Sequence, residues 1–303
     1  MQSKSDFQHH EPMNRMRKLL FILLCFFVEQ INAQPLIDLV NVKYSQSPDA
    51  GLIRRNNQHA TFDHLSINLN LPFIFKKDSS AIVFSPFTEI WNIEIAEVPF
   101  VHEQFQSLAL QTSFIKPVSQ NWTITLSAIP RWNGYNGHWF NNSFQMGGAF
   151  LASYKKTSML KYKFGIYYNS EFSGAFIIPL LGIDWRVNAN NNIFGVLPGN
   201  LSWEHKASQR IYYGVVFRAV TNSYRSGFIN NQSYFMRIDD NQLSLYADLY
   251  VAKKIVLTVE AGHSVLRKIR FGYKGGDEKY FYKNKVNDNL LFRAALAYRL
   301  RLL

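Results

Sequence analysis

The 303-residue chain has one cysteine, Cys25, and it lies inside an apolar run near the N-terminus. With that run removed, disulfides, thiolate metal sites and cysteine nucleophiles are all excluded. Long apolar stretches are equally scarce. Downstream of Ala33 nothing approaches the roughly 20 apolar residues that a membrane-spanning helix needs. Enzyme signatures are missing: there is no Gly-x-Ser-x-Gly elbow, no His-Glu-x-x-His pair and no phosphate-cradling glycine loop. Glu260, His263 and Ser264 stand close together, but a strand sends His263 to the face opposite the other two, so no catalytic trio is expected there. No internal repeat, charge block or Gly/Ser linker divides the chain.

What the chain does have is aromatic residues, 16% of the total with 25 Phe and 16 Tyr, and a net charge of +12. Its first marked feature is the run Leu19 to Val28, preceded by Arg15, Arg17 and Lys18 and followed by Ile31, Asn32 and Ala33. A basic flank, a short apolar stretch and a small residue before the cut make a secretory signal, and ten apolar residues are too few to span a bilayer. Cleavage is expected after Ala33. Leu24 stands before Cys25 where lipidation wants a small residue, so no lipid anchor is expected. The polar residues before Met13 lie outside the signal pattern. The expected organisation is therefore an N-terminal extension and signal over 1–33 and one domain over 34–303. An exported chain without a membrane helix is a soluble periplasmic protein, an extracellular one, or a barrel in the outer membrane.

Strict alternation separates these classes, because a membrane barrel shows lipid one face of each strand and its lumen the other. Leu65, Ile67, Leu69, Leu71, Phe73 and Phe75 alternate with His64, Ser66, Asn68 and Asn70. Trp122, Ile124, Leu126, Ala128, Pro130 and Trp132 alternate with Thr123, Thr125, Ser127, Ile129 and Arg131, and tryptophans at both ends of the run suit interface girdles. The pattern recurs over 144–154, 162–168, 211–219, 243–251 and 255–261. Short polar turns near 76–80, 116–120, 155–158, 188–192, 206–209 and 252–253 alternate with longer connections at 46–61, 133–142, 222–240 and 266–288. These marks predict an all-β antiparallel transmembrane barrel of about 14 strands, with 12 as the alternative if the segment around Pro198-Gly199 is one irregular strand or an inward fold.

The last segment alternates Phe292, Ala294, Leu296, Tyr298, Leu300 and Leu302 with Arg293, Ala295, Ala297, Arg299 and Arg301. It resembles the terminal strand by which outer-membrane proteins are recognised by the barrel-assembly machinery, although the usual final Phe is absent. The run Ile178-Pro179-Leu180-Leu181-Gly182-Ile183-Asp184-Trp185, with the Asn-rich turn and Leu197-Pro198 after it, resembles uncharacterised outer-membrane barrel families of Gram-negative bacteria, among them a family of unknown function. That resemblance implies a barrel in the outer membrane and no particular activity.

Closing about 14 strands spaced about 4.8 Å apart and tilted about 40° gives a backbone radius of roughly 14 Å, so a lumen has to be filled, plugged or wet. Arg218, Asp248, Glu260, Arg293 and Arg299 fall on inward phases, as do His64, Asn68 and Arg131. Such charges line a pore and select solutes by sign, or they pair into a network that fills it. Arg267, Lys268, Arg270 and Lys274 open the basic connection 266–288 and are candidates for lipopolysaccharide phosphates, against a plain solvated loop. The aromatic connection 222–240 folds into the mouth or stacks on its neighbours. No residue set calls for a catalytic role, a cofactor or a metal, and export argues against nucleic acid. The expected function is non-enzymatic, either solute passage or membrane stabilisation. The alternatives are a barrel enzyme at the outer surface and a binding or assembly barrel.

Overall fold

The computed structural model describes residues 36–51, 59–95, 102–139, 142–229, 232–273, 280 and 282–301. The expected signal, its cut after Ala33, Lys274 and the last two positions lie outside these residues. The strands are β1 (Leu36–Gly51), β2 (His59–Leu69), β3 (Leu71–Ile74), β4 (Ala81–Ile95), β5 (His102–Pro117), β6 (Trp122–Tyr135), β7 (Phe144–Lys155) and β8 (Leu160–Glu171). They continue with β9 (Gly174–Arg186), β10 (Asn191–Leu197), β11 (Asn200–Lys206), β12 (Ile211–Ile229), β13 (Gln232–Tyr250), β14 (Ile255–Tyr273), β15 (Tyr282–Lys285) and β16 (Leu290–Arg301).

Every strand pairs antiparallel with its neighbour, and β16 closes on β1 with Asp38 opposite Arg299 and Tyr44 opposite Ala294. β2 and β3 form one wall strand: Asn68 faces Phe87 and Leu71 faces Phe84, so the register runs through the break. The break lies beside Pro86, which has no N–H to give to the ladder. With β15 a short addition to β14, the ring is a closed barrel of 14 strands.

The outer face is apolar. Ile177, Leu245 and Leu181 are 69%, 66% and 61% exposed, and the alternate positions on each wall strand are likewise open. In water such a belt would be an aggregation surface; against hydrocarbon it is the favourable one. On β6 it runs from Trp122 to Trp132, where Trp122 packs on Tyr154 and Trp132 on Phe144 of β7. No helix among the described residues is long and apolar enough to cross a membrane.

The segment around Pro198-Gly199 resolves as two seven-residue strands, β10 and β11, paired from Asn191–His205 to Val196–Asn200. At about 3.3 Å per residue and about 40° of tilt they rise only about 18 Å, short of an apolar band about 25 Å tall. The ladder from β11 to β12 therefore ends at Asn200–Arg218, and β12 beyond Ala219 pairs with β13 alone.

Two expected loops are strands. Residues 222–229 and 232–240 form the upper halves of β12 and β13, and β14 runs on to Tyr273 through most of the basic half of 266–288. The connection expected at 46–61 is likewise narrowed by β1 and β2 to the interval between Gly51 and His59. Alternation hid these extensions for two reasons. Above the membrane the pattern inverts, with Tyr224, Met236, Ile238 and Ile269 turned inward and fully or nearly buried. In β14 a bulge at Leu266, which has φ 57°, then moves the inward phase from Ser264 to Arg267. Arg267 is consequently buried inside the barrel instead of presented on an outer loop.

Candidate functional site in the lumen

The inward faces carry paired charges. Arg218 of β12 donates two parallel bonds to Glu260 of β14, at 2.7 and 2.8 Å, and Arg293 of β16 adds a third at 2.9 Å. Fork geometry of this kind suits guanidinium to carboxylate and fixes three strands against one another. Arg293 also donates to the Gln242 carbonyl at 2.6 Å, and the Gln242 amide donates to Asp240 at 2.7 Å. Asp240 takes two bonds from Arg267, whose guanidinium lies 4.4 Å from the Phe62 ring centre and reaches Ser47 of β1. A continuous polar chain thus runs up the wall from Arg218 to Ser47.

Toward the other end, Arg299 binds both Asp38 and Asp248, and Thr258 donates to Asp248. Arg301 grips Glu204 at 2.9 and 2.8 Å beneath Tyr212 and Tyr250. Lys163 donates to Asp184 at 2.7 Å. Pairing is what makes these charges tolerable away from bulk water.

The outer mouth is bridged by the chain itself. In the ring, β5 and β6 lie across the lumen from β12, yet the upper part of β12 comes within 8 Å of both, so it leans inward over the opening. Its free edge is met by side chains from the far wall. The Asn133 amide donates to the Ser223 carbonyl at 2.7 Å and to Asn222 at 2.9 Å, and Gln145 donates to the Ser223 hydroxyl at 2.8 Å. Arg131 donates to Asn222 at 3.1 Å. Glu89 of β4 accepts from Tyr224 at 2.6 Å and from Asn222 at 2.8 Å, and its other oxygen meets His64, which stacks on Trp91. Behind this seal Phe62, Trp91, Ile93, Phe105, Met236 and Ile269 fill the mouth with an apolar cluster.

The structure brings Arg218, Glu260 and Arg293 into one group, Asp248 and Arg299 into a second, and His64 and Arg131 into the mouth seal. Asn68 lies on the inward face of β2 beside these groups. Arg267 belongs to the inner network, Arg270 is paired with Asp239, and Lys268 is exposed. Tyr224 lies in the aromatic connection expected to fold into the mouth or stack on its neighbours, whereas Glu89, Asn133 and Asn222, which complete the seal, were not singled out from sequence. The available signal was a carboxylate, Glu89, on the inward phase of a strand. No group of three or more His, Cys, Asp or Glu among the described residues is arranged to hold a metal.

The model of one family, described as a domain of unknown function (DUF6268), matches residues 41–299. The chain belongs to the DUF6268 family. No curated protein matches the sequence of this DUF6268 member. Among solved structures it is similar to an outer membrane channel from Pseudomonas putida F1, with TM-score 0.47 and 7% identity over 91% of this chain and 98% of that one. It is also similar to the NanC porin, with TM-score 0.39 and 8% identity over 86% and 100% of the two chains. The translocator domain of the autotransporter NalP from Neisseria meningitidis is a third, with TM-score 0.37 and 9% identity over 95% and 96%. The matched range begins within β1 and ends within β16, so the DUF6268 domain takes in the wall strands from one to the other.

Proposed function

We propose that this DUF6268 protein is an exported, integral outer-membrane barrel that passes small solutes without chemistry, its outer mouth gated by β12 and β13. The observation that carries the reading is the kind of bond that closes the mouth. Wall strands are joined by continuous backbone ladders, whereas the leaning edge of β12 is held to the far wall by side chains of Asn133, Gln145, Arg131 and Glu89. A contact built from a few side-chain bonds, each contributing about 1 kcal/mol net, opens without disturbing the ladders. In this reading β16 is the assembly signal, and exposed Lys268 is the basic group best placed for lipopolysaccharide phosphates. The buried ion pairs favour a second reading, a permanently shut barrel that stabilises the membrane.

Planar-bilayer recording of the refolded protein separates the two. The gated channel predicts rare conducting steps for the wild type, and a rise in open time of roughly tenfold or more for Asn133→Ala combined with Gln145→Ala. Silence in both proteins, each shown to be folded by heat-modifiable migration on a gel, would leave only the shut barrel.

A further inference from the structure

Lys43 stands on the inward face of β1, opposite Ser66 of β2 and Ala295 of β16. The next inward residue along β16 is Arg293, paired with Ser45, so Lys43 and Arg293 are diagonal neighbours within reach of one another's charge. The charges acting on the lysine include Arg218, Arg293, Asp38 and Glu260. Neither carboxylate is at its disposal. Both oxygens of Glu260 are taken by Arg218 and Arg293, and both oxygens of Asp38 by Arg299, with Asn41 on one of them as well. The ammonium makes no hydrogen bond or ion pair among the described residues. Its ladder neighbours are short side chains, Ser66 and Ala295 with Thr258 opposite Ala295, and Lys43 keeps partial contact with solvent.

Three cations therefore share one carboxylate at a point where the wall is lined by short side chains. A lysine held beside two guanidiniums lacks the direct ion pair that Arg218, Arg293 and Arg299 each make, and a diffusing anion supplies it. We infer that Lys43, with Arg218 and Arg293 behind it, forms a subsite for a small oxyanion, a phosphate or carboxylate group. Lys43 would supply the point charge and the only direct charged contact that is not already spent. The two arginines add field, being committed to Glu260. The Asp38–Arg299–Asp248 group carries the opposite excess, which confines the anion to the Lys43 side.

This inference rests on solutes reaching the lumen, as in the channel reading. Its test is calorimetric titration of the refolded wild type, Lys43→Met and Lys43→Arg with inorganic phosphate and, separately, acetate. Chloride holds the ionic strength constant, and heat-modifiable migration confirms that each variant folds. Saturable binding of one or both probes to the wild type, weakened about tenfold or more in Lys43→Met and largely kept in Lys43→Arg, is the expected result. Absence of saturable binding to the wild type, or equal binding by Lys43→Met, overturns the subsite. Conductance without anion binding would remove the subsite alone, and anion binding in an electrically silent barrel would remove the channel reading alone.

Discussion

At the residue scale, Glu260 is the most consequential position in the lumen because its single carboxylate pairs with both Arg218 and Arg293 while almost wholly buried. Glu260→Gln keeps the shape and removes the charge, leaving two guanidiniums facing each other. Breaking a buried pair from one side costs about 3–5 kcal/mol. The expected outcome is a lower temperature for the heat-modifiable transition, with Arg293→Met in the same background restoring part of it. An unchanged transition would show that the network contributes nothing to the wall. Much of this network was legible in sequence, since Arg218, Asp248, Glu260, Arg293 and Arg299 all fall on the inward phase of strands with apolar outer faces. Lys43 shares that phase, but its meaning depends on Arg218, which ring closure brings near from far along the chain.

At the scale of elements, the short β10–β11 pair decides the shape of the mouth. It needs Gly195, whose φ is +146°, and a Cβ there would come within 2.3 Å of the Asn200 carbonyl oxygen and 2.8 Å of the Leu201 Cα. Both obstacles are backbone, so Gly195→Ala should destabilise the barrel by about 1–3 kcal/mol, read as a fall in its unfolding temperature in detergent. No fall would contradict the described hairpin. Two strands at 193–206 were the expectation from Pro198-Gly199, with one irregular strand or an inward fold as the alternative, and the structure has the two. The consequence, a bare edge on β12, did not follow from the pattern. Periodicity reports which face meets lipid, and above the membrane no face does. The upper halves of β12, β13 and β14 therefore resembled loops, and the bulge at Leu266 completed the disguise.

The whole molecule joins an apolar belt, a polar paired lumen and a cap made by its own strands in one closed ring. The ring and its faces were readable from alternation and turn spacing, because lipid outside and charge inside write a two-residue period into each crossing. That 222–240 folds into the mouth was among the expectations, but the bonds of the cap were not, because they link Ser223 to Gln145 and Tyr224 to Glu89 across the lumen, with no periodic trace. The central claim is the sidedness of the wall, and β7 tests it most directly. Single spin labels placed from Phe144 to Tyr154 in a chain without Cys25, reconstituted in lipid, should alternate in accessibility. Even positions should respond to a relaxation agent dissolved in the bilayer. Odd positions such as Gln145, Ala149 and Ser153 should be shielded from it. A uniform profile, a 3.6-residue period, or response only to a water-borne agent would contradict the transmembrane barrel.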